Sequence, residues 1–175
     1  ITHILNSLKL DIPVFVLETG KLHTETLLLL AHTQQHSRAQ VVVFHPKAEA
    51  VNAFVAKEGE EPMYKSIELR KACCQVRKLE PLGRALQGKK AWITGLRREQ
   101  SGARADVPLV DDSEVLGDAS KGRRKYNPLA NWTWGDVWHY IGQHQVAYNP
   151  LHDQFFPSIG CAPCTRAISL GEDFR

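Results

Sequence analysis

Apolar and polar positions alternate in blocks along the chain. PVFVLE (Pro13 to Glu18) precedes LHTETLLLLAHTQQH, QVVVF (Gln40 to Phe44) precedes KAEAVNAFVAKEG, and AWITG (Ala91 to Gly95) is a later short run. Short β-branched runs separated by helical stretches are the pattern of βαβ units and a parallel sheet covered on both faces. The fold class is α/β. In open sheets of this kind ligands gather beyond the carboxyl ends of the strands. The loops to watch are therefore ETG, HP and GLRR, which follow the three runs.

From Glu61 to Leu86 the pattern is mostly helical, with Pro81 and Gly83 as breakers. Thr133 is placed to cap a helix through WGDVWHYIGQH. YNPL occurs at Tyr126 to Leu129 and again at Tyr148 to Leu151; both read as Asn-Pro turns rather than a repeat. Gln100 to Lys121 is polar, contains glycine, and reads as a mobile surface loop that could close over a ligand. ITHILNSLK reads as the later turns of an amphipathic helix, so the chain is expected to be a fragment.

A length of 175 residues suits one domain with a core that needs no disulfide. No apolar run approaches the roughly 20 residues that cross a bilayer, and no signal-peptide layout is present. A soluble, cytoplasmic protein with no membrane partner is expected. The net charge of +3 is small but clustered: Arg97, Arg98 and Arg104 lie in GLRREQSGARA, and Lys121, Arg123, Arg124 and Lys125 in KGRRK. Such local clusters suit a small anion better than a nucleic-acid backbone, and no aromatics are interleaved with them for base stacking.

All four cysteines lie in two stretches, Cys73 and Cys74 in LRKACCQVRKLEPL and Cys161 and Cys164 in FFPSIGCAPCTRA. In a reducing compartment clustered thiols bind metal or do redox chemistry. Soft thiolates select zinc, copper(I) or iron-sulfur clusters. Zinc sites usually present both pairs as spaced knuckles, which the adjacent pair does not match. Neighbouring side chains on a helix diverge, so both thiols reach one centre only if it is larger than an ion or the backbone bends. A [4Fe-4S] cubane is favoured. Buried free cysteines, or a redox pair at Cys161 and Cys164, stand as alternatives. Arg77 follows Cys73 by four residues and Lys78 follows Cys74 by four, one helical turn from each thiol. Such charge can tune a cluster's potential or hold a second anion close to it; for RK alone, a solvated basic helix face is the plainer reading.

LETGKLHTET, KACCQVRKLEPL, GLRREQSGAR, KYNPLANWTWGDVWHYI and YNPLHDQFFPSIGCAPCT together resemble assimilatory adenylyl-sulfate (APS) reductases. These form the iron-sulfur branch of the phosphoadenylyl-sulfate (PAPS) reductase family. The resemblance implies a three-layer adenine nucleotide α-hydrolase-like fold, akin to ATP pyrophosphatases, built on a parallel sheet. It implies reduction of adenylyl sulfate to sulfite and AMP with thioredoxin or a similar dithiol. In that family a C-terminal cysteine attacks sulfur, forming an enzyme S-sulfocysteine, and the cluster is thought to act electrostatically. Carried over by position, Cys73, Cys74, Cys161 and Cys164 are the expected cluster ligands and Lys78 lies between cluster and substrate. Leu17, Thr19 and Gly95 fall in loops that receive the nucleotide. Arg104 and Arg175 match arginines facing the phosphosulfate, and Arg97 is a further candidate.

The family's N-terminal phosphate loop and its nucleophilic C-terminal cysteine have no counterpart in residues 1–175, so a single domain that does not turn over is expected. Glu18 stands where Asp is usual and Thr24 where Pro is common. Phe155 stands where Gly is frequent, which implies a shifted loop before Cys161. Two rivals carry over: a PAPS-preferring member, and a zinc- or cluster-stabilised module that binds nucleotide or nucleic acid without catalysis. His23, His45, His139 and His152 form no convincing catalytic set, and homo-oligomerisation stays open.

Overall fold

The computed structural model describes residues 1–112, 123–169 and 171–172. Arg175, Lys121 and part of the expected 100–121 loop lie outside the described residues. A short helix α1 (Thr2–Ser7) leads into β1 (Val14–Leu17), α2 (Thr24–His36), β2 (Val41–Phe44) and α3 (Ala48–Glu58). β1 and β2 are parallel with Val14 opposite Val41 and Leu17 opposite Phe44. This is the βαβ unit that the alternating blocks predict. The strand residues are half-buried rather than fully covered.

Ile67 to Leu86 form one helical path in three parts: α4 (Ile67–Cys74), a π-helical turn (Gln75–Leu79) and α5 (Glu80–Leu86). Pro81 and Gly83 do not break it, contrary to expectation. A proline ring clashes with the carbonyl four residues back in a regular α-helix. Pro81 sits in the first turn of α5, directly after the π turn. There the Glu80 amide donates to the Gln75 carbonyl, one residue further back than in an α-helix. The wider turn accommodates the proline and continues the helix. α5 supplies the centre of the core, with Leu82, Ala85 and the fully buried Leu86 packed beneath β1 and β2.

The second half carries β3 (Ala91–Ile93), β4 (Val110–Asp111), β5 (Arg124–Tyr126) and α6 (Trp134–His144). β3 and β5 are parallel, and β4 joins β5 antiparallel. Residues 98–111 are thus more ordered than a surface loop, with two 3₁₀ turns and an edge strand. The edge strand also absorbs part of the basic cluster: Lys125 pairs with Asp111 and Arg124 with Asp112, both at 2.7 Å. No helix among the described residues is long and apolar enough to cross a membrane.

Both Asn-Pro turns have a physical cause. Asn127 is fully buried; its side-chain amide donates to the Pro108 carbonyl at 2.8 Å while its Oδ1 accepts from Thr94 Oγ1. Asn149 Oδ1 accepts the Leu151 amide at 3.0 Å and starts a 3₁₀ turn.

Thr133 caps α6 as expected: its Oγ1 accepts the Asp136 amide at 3.1 Å, and Asp136 accepts the Thr133 amide at 2.8 Å. Thr133→Ala is expected to lower the unfolding free energy by about 1 kcal/mol, read from the urea midpoint at constant m-value.

Candidate functional site

The ends of β1 and α4 meet the C-terminal loop at the cysteines. Cys73 and Cys74 close α4, just before the π turn. Cys161 and Cys164 flank a 3₁₀ turn whose approach is tied to the loop after β1. Leu22 pairs with Cys161 as an antiparallel bridge, and the Ala162 amide donates to the Lys21 carbonyl at 2.7 Å. All four cysteines are free thiols and line one pocket. Arg77, Lys78, Arg70 and Lys21 line it too, so four cations surround four thiols.

Thr19 is buried at 1% exposure, with Oγ1 3.2 Å from Cys161 Sγ. Arg77, in the π turn, is buried at 7% exposure and donates to the Thr19 carbonyl at 2.8 Å. It is no solvated helix face. Gly20 has φ +73°, and a Cβ there would stand 3.1 Å from the Arg77 guanidinium. Glycine is what lets the loop lie against that cation. Burial pushes the Cys73 thiol up; Arg77 opposes this, while Cys74, Cys161 and Cys164 push the same way as burial. Among the described residues, no group of three or more His, Cys, Asp and Glu side chains is arranged to hold a metal ion.

The other sequence-predicted residues fall on separate elements. Leu17 ends β1, and Gly95 is exposed just after β3. Glu18 joins two of the expected loops, accepting from the Gly20 amide at 2.7 Å and standing 3.2 Å from His45 Nδ1. Lys78 is half-buried in the cysteine pocket. Arg104 is half-buried and donates to Gln100 at 2.5 Å. Arg97 is neither exposed nor unpaired: at 6% exposure it donates to the Trp132 carbonyl at 3.2 Å, pairs with Glu99 and lies over Trp134. It fastens the GLRR loop to the start of α6. Trp134 and Trp138 pack edge-to-face at 5.6 Å, as their spacing suggests for packing residues.

Two residues have surroundings that the sequence does not show. Arg77 was visible only as a charge four residues after Cys73; its burial against the β1 loop had no sequence signal. Phe155, which stands where the family often has Gly, adopts the left-handed conformation itself, at φ +64° and ψ +26°, with its ring exposed. That backbone costs an L-residue about 1–2 kcal/mol. Phe155→Gly is expected to raise stability by about 1 kcal/mol, measured by thermal unfolding; a loss would show that the ring contributes packing.

Beyond the cysteines, Arg166 clasps Glu172, which also accepts the Ser169 amide at 2.9 Å. The Arg166 guanidinium, then the Ser169 amide, lower the Glu172 carboxyl to about 2. A depressed carboxylate favours the folded turn above its ordinary pKa of 4.5 and loses that contribution as pH falls toward 2. The Glu172 carboxyl carbon is expected to titrate near 2 by NMR, with the turn opening over that window.

The family model of the phosphoadenosine phosphosulfate reductase domain matches residues 1–167. The chain is similar to the adenosine 5'-phosphosulfate reductase of Allochromatium vinosum, 48% identical over 175 residues, covering 100% of this chain and 66% of that protein. It is 47% identical over 175 residues to the protein of that name from Burkholderia cepacia, covering 100% and 68%. To that of Neisseria meningitidis serogroup B it is 44% identical over 176 residues, covering 100% and 70%. It thus spans about two thirds of the length of these curated relatives. The crystal structure of phosphoadenylyl-sulfate (PAPS) reductase from Candida auris, a phosphate complex, superposes with TM-score 0.76 at 26% identity. That match covers 94% of this chain and 76% of the other, and supports the α/β nucleotide α-hydrolase-like fold. With the family model spanning nearly all of it, the chain belongs to the phosphoadenosine phosphosulfate reductase domain family.

Proposed function

We propose that the chain is the nucleotide-binding domain of a cytoplasmic, thiol-dependent adenylyl-sulfate reductase that holds a [4Fe-4S] cluster on Cys73, Cys74, Cys161 and Cys164. One observation carries this reading: thiols from two distant stretches line one pocket ringed by Arg77, Lys78, Arg70 and Lys21. A single tetrahedral zinc needs its sulfurs about 2.3 Å from one point. Four thiols that line one pocket from two distant stretches suit a centre with separate iron corners. Bound there, the cluster supplies a fixed charge distribution beside the substrate rather than the electrons of the reaction.

The chain's own residues then do the binding and orienting. The carboxyl ends of β1 and β3, at Leu17 and Gly95, receive the nucleotide. Lys78 has no hydrogen-bond or ion-pair partner among the described residues, and it faces the phosphosulfate with Arg104. Arg175 is assigned to the same anion. Thr19 and Arg97, whose side chains already bond other parts of the chain, shape the loops that receive the substrate. Positive groups fixed in a partly dry cleft neutralise the sulfate so that a thiolate can approach it. The thiolate sulfur bonds to the sulfate sulfur and AMP departs with the bridging oxygen. A dithiol such as thioredoxin then reduces the resulting S-sulfocysteine, releasing sulfite and becoming a disulfide. With all four cysteines assigned as ligands, the attacking thiol is not among residues 1–175.

The test uses full-length protein purified without oxygen. About four irons and four sulfides per chain are expected, with sulfite and AMP formed from adenylyl sulfate and thioredoxin. Zinc in place of iron would end the cluster assignment. Faster turnover of the 3′-phosphorylated nucleotide would transfer the substrate to the rival within the family.

A further inference from the structure

We propose that His23 is a positioning residue for the Cys161–Cys164 turn, acting through Thr165; this rests on the reading of those cysteines as ligands. Thr165 Oγ1 donates to the Cys161 carbonyl at 3.0 Å. A hydroxyl has one proton, and a carbonyl only accepts. The 3.1 Å contact between Thr165 Oγ1 and His23 Nε2 therefore has the imidazole as donor. This sets the His23 tautomer, with the proton on Nε2. The ring is fixed just before α2 by edge-to-face contact with Phe156 at 5.5 Å.

Gly160 lies beside Thr165: a Cβ there would stand 3.4 Å from the threonine methyl group. The result is a directed chain from His23 N–H to the Thr165 hydroxyl to the Cys161 carbonyl, in which each bond polarises the next. It spans 142 positions of sequence. The other anchors hold different atoms: Lys21 takes the Ala162 amide, and Arg70 donates to the Cys164 carbonyl at 3.3 Å. Among the described residues, the His23–Thr165 chain supplies the hold on the Cys161 carbonyl that originates outside the turn. That carbonyl also accepts the Cys164 amide at 2.9 Å, so it sets how both thiols of the pair are presented.

The experiment compares His23→Leu, His23→Gln, Thr165→Val and the Leu/Val double variant in full-length protein. Iron release to a chelator from anaerobically purified protein is expected to run about tenfold faster in His23→Leu. His23→Gln, which keeps an N–H donor, recovers most of the wild-type rate. The double variant is no faster than Thr165→Val alone, because one chain is cut twice. Alkylation of iron-free protein, read cysteine by cysteine by mass spectrometry, is expected to speed up at Cys161 and Cys164 in His23→Leu. Cys73 and Cys74 keep their wild-type rates. Iron-free wild-type protein under the same purification would remove the cluster reading, and the alkylation pattern would still decide on His23. Unchanged alkylation at Cys161 and Cys164 in His23→Leu overturns the proposal; additive effects in the double variant overturn the route through Thr165. Should His23→Leu fail to fold, Thr165→Ser against Thr165→Val applies the same test to the hydroxyl alone.

Discussion

Cys161→Ser is expected to lower iron in the anaerobically purified protein from about four atoms per chain to fewer than about one. The expectation follows from where Cys161 sits. It is buried, its sulfur stands 3.2 Å from Thr19 Oγ1, and its backbone bridges to Leu22. Serine keeps the backbone bridge and the hydrogen-bonding capacity toward Thr19, so the fold has little reason to change. What it removes is the soft, deprotonatable donor that iron-sulfur chemistry needs. The far-ultraviolet spectrum should stay as in the wild type while visible absorption is lost, and sulfonucleotide reduction by the full-length enzyme should fall at least about 100-fold. Full iron content in Cys161→Ser would mean that this thiol is a core residue, and the four-ligand assignment would fail.

β1, β2 and β3 were legible because short β-branched runs between helical stretches leave few alternatives, and α6 because Thr133 and Asp136 form a reciprocal cap. The cysteines were legible as a constellation because CC and CxxC use every thiol in the chain. The π turn was not. It arises from a conflict between helical pattern and Pro81 that a chain resolves either by stopping or by widening, and the sequence does not say which. Nor did the basic residues announce their partners. Arg97, Arg98, Arg124 and Lys125 read as an anion-binding surface, yet each donates to or pairs with a group that is distant in sequence or newly brought near by β4. Charge clusters reveal their count in a sequence but not their neutralisation, which depends on tertiary contact.

Arg77→Met is expected to have a small effect without the cluster and a large one with it. The guanidinium is buried, donates to the Thr19 carbonyl at 2.8 Å, and has no carboxylate partner among the described residues. A buried cation without a counter-charge carries a desolvation cost that its hydrogen bond offsets only in part. In iron-free protein with protonated thiols, Arg77→Met therefore exchanges a lost bond for a relieved charge. Its effect on the urea midpoint is expected to stay within about 1 kcal/mol. Cysteine thiolates around a cluster turn the pocket negative, and Arg77 becomes its counter-charge. Loaded protein is then expected to lose about 2–3 kcal/mol on the same substitution, with faster iron release, because a buried charge has lost its partner. Arg77→Lys tests the geometry: it keeps the charge but not the planar fork, and should restore charge balance while leaving the Thr19 carbonyl poorly held. Equal losses in both states would mean that Arg77 serves the β1 loop alone. A loss confined to the loaded state would tie the π turn to the cluster, since that turn is what carries Arg77 beneath Thr19.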